Sequence, residues 1–159
     1  MAIDFFQTKC QSKTNETVFG IYDAPPATLS FENSDNWNVW VDNVNAIDVT
    51  HTAIDSCLGI PDSEGERCES MITYDDVLTF IELKDRDGGR WAGKARDQLI
   101  NTIILFKRDA NIAAYTRLYG HISNKQRPHF KAGGGSFFQE FEDKTGGFVL
   151  RVSEMIKIE

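Results

Sequence analysis

The stretch from Cys68 to Lys84, CESMITYDDVLTFIELK, constrains the fold more tightly than any other part of the chain. Ser70 to Thr73 and Val77 to Leu83 are rich in β-formers, and Asp75-Asp76 between them reads as a two-residue turn. A hairpin centred on that turn sets Tyr74 opposite Val77, Thr73 opposite Leu78, Met71 opposite Phe80 and Glu69 opposite Glu82. Side chains alternate faces along a strand. Glu82 and Lys84 therefore share one face, and Glu69 joins them from the partner strand. Directly opposed residues have Cβ atoms roughly 5 Å apart. This register gathers two carboxylates and one amine at one end of the hairpin, whereas a slip of one residue would send the two acids to opposite faces.

Like charges set opposite each other destabilise a strand pair. A divalent cation between them reverses the sign of that interaction. Magnesium is held by one or two carboxylates completed by water and substrate phosphate. A lysine beside it is placed to steady a water or a phosphate as charge develops. The same residues also fit an edge hairpin whose charges are simply solvated.

Cys68-Glu69-Ser70-Met71-Ile72, then Phe80-Ile81-Glu82-Leu83-Lys84, then a helix with Gln98-Leu99 and Thr102, resemble the PD-(D/E)XK, or restriction-endonuclease-like, superfamily and its small bacterial members. The resemblance runs from about Asp55 to Ile158. It implies an α/β fold in which helices flank a mixed central β-sheet. It also implies a catalytic set of Glu69, Glu82, Lys84 and Gln98, the glutamine positioning a water or Lys84. Glu69 and Glu82 would hold Mg²⁺ or Mn²⁺, and Asp55 would be an extra metal ligand or a neighbouring group; as a capping or turn aspartate it fits equally. One residue departs from the pattern: the first acid is usually aspartate, and here it is Glu69.

At 159 residues the chain is most simply one domain, residues 1–159, with enough length for a substantial core. Eleven phenylalanines and three tryptophans argue against disorder. No apolar run approaches the ~20 residues that span a bilayer, and the first residues, MAIDFFQTKCQSK, lack the pattern of a secretory signal. Cys10, Cys57 and Cys68 are odd in number and not in metal-ligand spacing, so reduced thiols in a cytoplasmic protein are expected. The three histidines are scattered, which gives zinc little support. A net charge of −7 weighs against a strong nucleic-acid binder. Even so, Lys84, Arg86, Arg90, Lys94 and Arg96 cluster near the hairpin end, and Lys125, Arg127 and Lys131 follow in a later loop. These cations also suffice merely to balance nearby acids.

Along the rest of the chain, residues 1 to 16 read as irregular or a short helix, and Thr17 to Tyr22 as a strand. Trp37, Trp40, Val41 and Val44 fall at i, i+3, i+4 and i+7, which predicts an amphipathic helix from about Asn36. The strongest helix is expected over about Trp91 to Lys107, with Trp91, Ala95, Leu99, Ile103 and Phe106 as its buried stripe. Ala113 to Ile122 reads as the next strand, giving a crossover between parallel strands. Gly133 to Gly135 lack the tail of a nucleotide-binding P-loop, so no nucleotide site is expected there. Ser136 to Asp143 reads as a short helix, with strands over 148–152 and 155–158.

Two functions follow. One is Mg²⁺-dependent hydrolysis of phosphodiesters in DNA or RNA. The other is a nuclease-like scaffold acting by contact, its acidic surface taking a basic protein partner as an immunity protein takes a toxic nuclease. A third, structural role rests on a diagonal Glu69–Lys84 ion pair, which when exposed contributes only about 0–1 kcal/mol.

Overall fold

The computed structural model describes residues 2–86, 88–127 and 135–159. Among them are ten strands and two α-helices. The strands are β1 (Gln11–Thr14), β2 (Val18–Asp23), β3 (Ala27–Ser30), β4 (Val39–Asp42), β5 (Val49–Ala53), β6 (Ser70–Tyr74), β7 (Val77–Lys84), β8 (Arg117–Asn124), β9 (Val149–Val152) and β10 (Met155–Lys157). The helices are α1 (Trp91–Asp109), between β7 and β8, and α2 (Gly135–Thr145), between β8 and β9. This is a mixed α/β architecture of two sheets. The larger has the order β1-β5-β6-β7-β8-β9, and the smaller β10-β4-β2-β3.

The hairpin has the expected register. Tyr74 pairs with Val77, Thr73 with Leu78 and Met71 with Phe80, and the turn is helped by Asp75 at φ 48°. Seven of the eight residues of β7 are buried, because both faces of the strand are covered. On one face lie α1 and α2, which share a core with Met71, Leu78 and Phe80. The stripe Trp91, Ala95, Leu99, Ile103 and Phe106 is buried as its 3.6-residue period requires. Phe141 of α2 reaches Gly120 of β8 so closely that a Cβ there would stand 2.5 Å from the ring, which excludes any larger residue without rearrangement. Strand β8 runs parallel to β7 after the α1 crossover, as expected.

On the other face the expectation fails. The residues around Trp37 form no helix. A single 3-10 turn, Ser34–Asn36, leads into β4, where Val39 and Val41 point inward and Trp40 outward. Residues 37, 39 and 41 also satisfy a period of two, and pairing of β4 with both β2 and β10 decides in favour of the strand. Among the described residues, helices thus flank the large sheet on one face only. The smaller sheet covers the other through Phe19, Ile21, Val39 and Val41, packed on Ile72, Val77 and Ile81. Trp37 remains in the core, its indole lying over Gly20 of β2.

The cysteine expectation is also overturned. Cys10 and Cys57 are joined by a disulfide, with Cα atoms 5.9 Å apart, and only Cys68 is free. Strand β1, which the sequence did not announce, pairs antiparallel with β5 and carries Cys10 to the turn after β5. Bonds of this kind persist mainly in oxidising compartments, whereas the cysteine pattern led to the expectation of three reduced thiols. Among the described residues no helix is long and apolar enough to cross a membrane. Lys131, Gly133 and Gly134 lie outside the described residues.

Candidate functional site

The polar end of the hairpin lies just past Ser70–Ile81, the last pair of its ladder. The Glu69 amide donates to Glu82 Oε1 at 3.2 Å, which sets the two acids side by side. Glu82 is almost fully buried, and its other oxygen, Oε2, takes an ion pair from Lys84 Nζ at 2.9 Å. Lys84 Nζ also donates to Gln98 Oε1 at 2.6 Å. Gln98 sits two turns into α1, and its amide nitrogen reaches the Arg67 carbonyl at 3.4 Å. One turn further along α1, Thr102 accepts the Cys68 amide at 2.8 Å and donates to the Gln98 carbonyl at 2.8 Å. Helix and hairpin are therefore tied at the point where the charges gather.

The four expected catalytic residues, Glu69, Glu82, Lys84 and Gln98, come together. Lys84 pairs with Glu82 on its own strand, and not diagonally with Glu69. Asp55 stands at the edge of the group. The amides of Ile54 and Asp55 both donate to the Glu69 carbonyl, at 2.9 and 3.3 Å, while the Asp55 carboxylate pairs with Arg67 Nε at 3.0 Å.

Sequence reasoning missed a further acid. Asp23, the last residue of β2, comes from the smaller sheet, and its carboxyl lies near enough to Glu69 for each to shift the other's affinity for protons. Its only local signal was its place at the end of a β-rich run ahead of Pro25-Pro26, a position like that of the hairpin acids.

Burial of these carboxyls raises their affinity for protons. Glu69 is pushed up to about 8, first by burial, then by the charges of Glu82, Asp23 and Asp55, with Lys84 acting in the opposite sense. Glu82 is raised to about 7 by burial, against the pull of its Lys84 ion pair. Asp23 is raised by burial and by Asp55, with Glu69 and Lys84 acting in the opposite sense. The cluster thus favours the protonated form of Glu69. The neighbouring Cys68 thiol is pushed up by burial and by Glu82, so it is no nucleophile. His51 and His121, buried elsewhere in the large sheet, are both lowered to about 4 by burial and stay neutral.

Two oxygens of the cluster, Glu69 Oε2 and Asp23 Oδ1, are buried without a hydrogen-bond partner. Such groups are costly unless something satisfies them. Magnesium and manganese take hard oxygen ligands, one or two of them carboxylates, so the donor chemistry fits. Among the described residues no group of three or more His, Cys, Asp or Glu is arranged to hold a metal ion. The fit is therefore to an open two-carboxylate position and not to a closed protein cage.

Lys84 and Gln98 also line an open cleft of about 520 Å³, together with Arg67, Arg86, Lys94 and Asp55. The amine end of the cluster faces that cleft, while the buried Glu82 to which it is paired does not line it. Comparison with protein-family models, with curated proteins and with solved structures found no match.

Proposed function

We propose that this chain is a metal-dependent phosphodiesterase of the restriction-endonuclease-like kind, acting on DNA or RNA. The observation that carries this reading is the position of Lys84, held by Glu82 on one side and Gln98 on the other at the mouth of a cleft. An ammonium has three donors. Two are spent on Glu82 and Gln98, which leaves one for a water or a phosphate oxygen. The strand order also supports the reading: two acids on an antiparallel hairpin, then a helix packed beside them, then a parallel strand.

Glu69 and Asp23 present the carboxylate oxygens that would hold Mg²⁺ or Mn²⁺. When bound, the ion supplies Lewis acidity at phosphoryl oxygens. Glu82, with both oxygens engaged inside the protein, positions Lys84. Gln98 fixes the direction of the ammonium. Lys84 then orients the attacking water and offers charge to the phosphoryl group as negative charge builds there.

A second reading, a binding module for a basic protein partner, has an observation of its own. Glu82 and Lys84 satisfy each other with no added group, and the chain carries a net charge of −7. Calorimetric titration of Mn²⁺ separates the two. The enzyme reading expects binding that is lost in Glu69→Gln, and cleavage of single- or double-stranded substrates that is lost in Lys84→Ala. An absence of both metal binding and cleavage, with retention of a basic protein by wild type and Lys84→Ala alike, would establish the second reading.

A further inference from the structure

Beside the cleft lies a smaller cavity of about 220 Å³, lined by Lys84, Arg86, Arg90, Lys94 and the two glycines Gly88 and Gly89. Every charged side chain among its described lining residues is a cation. The two spaces share Lys84, Arg86 and Lys94, so they are contiguous. Among the described residues neither Arg86 nor Arg90 forms an ion pair, and the pairing of Lys94 with Glu66, at 3.7 Å, is exposed. Arg86 and Arg90 therefore gather beside Lys84 and Lys94 without an acid of their own, and an anion between them reverses the repulsion.

The backbone supports the same reading. Arg90 caps α1 without a side-chain hydrogen bond, and the first turn of this 19-residue helix contains no acid. The first turn thus supplies no acid of its own to the positive end of the helix dipole, which lies at the cavity wall. Gly88 and Gly89 add no side chain, and Gly89, at φ +81°, suits a residue without a Cβ. Arg86 is fixed in place by its own backbone. Its amide donates to Asn124 Oδ1 at 3.1 Å, and its carbonyl accepts from Asn124 Nδ2 at 2.7 Å.

We propose that this cavity is a phosphate-binding subsite, formed by Lys84, Arg86, Arg90 and Lys94, that grips the backbone of a nucleic-acid strand next to the reacting phosphodiester. The two guanidinium forks of Arg86 and Arg90 and the exposed ammonium of Lys94 match the oxygens of a phosphate better than a single carboxylate, and Lys84 adds its charge from the side of the cleft. Because Lys84 belongs to both spaces, a strand anchored here places its neighbouring phosphate in the cleft. The strand part of the proposal rests on the nuclease reading; the recognition of phosphate does not.

The test compares Arg86→Ala/Arg90→Ala with Lys9→Ala/Lys13→Ala, which removes the same charge at and just before the distant edge strand β1. Binding of inorganic pyrophosphate is read by calorimetry, and binding of a fluorescent oligothymidylate by anisotropy over a range of salt. The expected result is loss of pyrophosphate binding and about tenfold weaker oligonucleotide binding in the arginine variant alone. Its log K against log salt slope should become shallower by about 0.7, the value for one single-strand phosphate contact. Arg86→Lys/Arg90→Lys should recover most of the slope, and unchanged melting curves would exclude misfolding. Arginine-dependent pyrophosphate binding without any oligonucleotide binding would uphold the phosphate site and overturn its strand role, and the nuclease reading with it. Equal weakening in both alanine variants, or no binding of either ligand by wild type, would overturn the proposal.

Discussion

Gln98 accepts a hydrogen bond from Lys84 at 2.6 Å, and that bond joins the last residue of β7 to a helix that begins seven residues later. The amine is thus aimed by two elements at once. If Lys84 supplies charge to a reacting phosphate, Lys84→Ala should lower the rate of cleavage by about 10²–10³. Gln98→Leu, which leaves the charge and loosens its direction, should lower it by roughly 10–100-fold. Steady-state rates on a labelled oligonucleotide, with melting curves as the control for folding, check the order of the two effects.

The acid cluster predicts how stability depends on pH without added metal. Glu69 and Glu82 have folded values raised to about 8 and 7, so their protonated forms favour the folded state and that contribution is lost as pH rises through those values. His51 and His121 act oppositely. Their folded values are lowered to about 4, so their contribution grows as pH rises toward the unfolded histidine value near 6.5. The opposing slopes largely offset below about pH 6.5, and the carboxyls alone remain above it. The melting temperature should therefore fall between about pH 6.5 and 8. Glu69→Gln should flatten that fall, and so should saturating Mn²⁺. Melting curves across this range provide the check.

Thr102 is buried and holds the Cys68 amide and the Gln98 carbonyl together. Thr102→Val keeps the shape and removes both bonds, which leaves the amide unpaired in the core. Such a loss costs about 1–3 kcal/mol. Urea unfolding should report it as a lower midpoint with an unchanged slope.

The disulfide makes a prediction that composition alone would not. Thiol titration of the unfolded, unreduced chain should find one thiol, that of Cys68, and three after reduction. The bond closes a loop with a sequence separation of 47. Removing it with Cys10→Ser/Cys57→Ser should lower stability by about 4 kcal/mol on the chain-entropy estimate.

What could be read in the sequence was local. The hairpin register follows from one turn and from β-formers a few residues on either side, so Glu69, Glu82 and Lys84 were placed together before any tertiary contact was considered. Helix α1 repeats its apolar stripe from Trp91 to Phe106, about four turns, and nothing competes with that period. The smaller sheet could not be read in this way. Its strand β4 satisfies both helical and extended spacing, and its partner β10 lies at the other end of the chain. Asp23 escaped notice for the same reason. Its nearness to Glu69 exists only once that sheet has packed on the first, as the disulfide exists only once β1 has paired with β5.

The Asn124 side chain, bonded to both backbone groups of Arg86, behaves as an extra rung of the β7–β8 ladder, after the rung that pairs Lys84 with Asn124 itself. The sheet thereby extends its own rigidity into what would otherwise be a free connection. Arg86 keeps a fixed offset from Lys84 because both are referenced to the same residue of β8. The spacing between a gripped phosphate and a reacting one would then be a property of the sheet, set by a neutral side chain that touches neither.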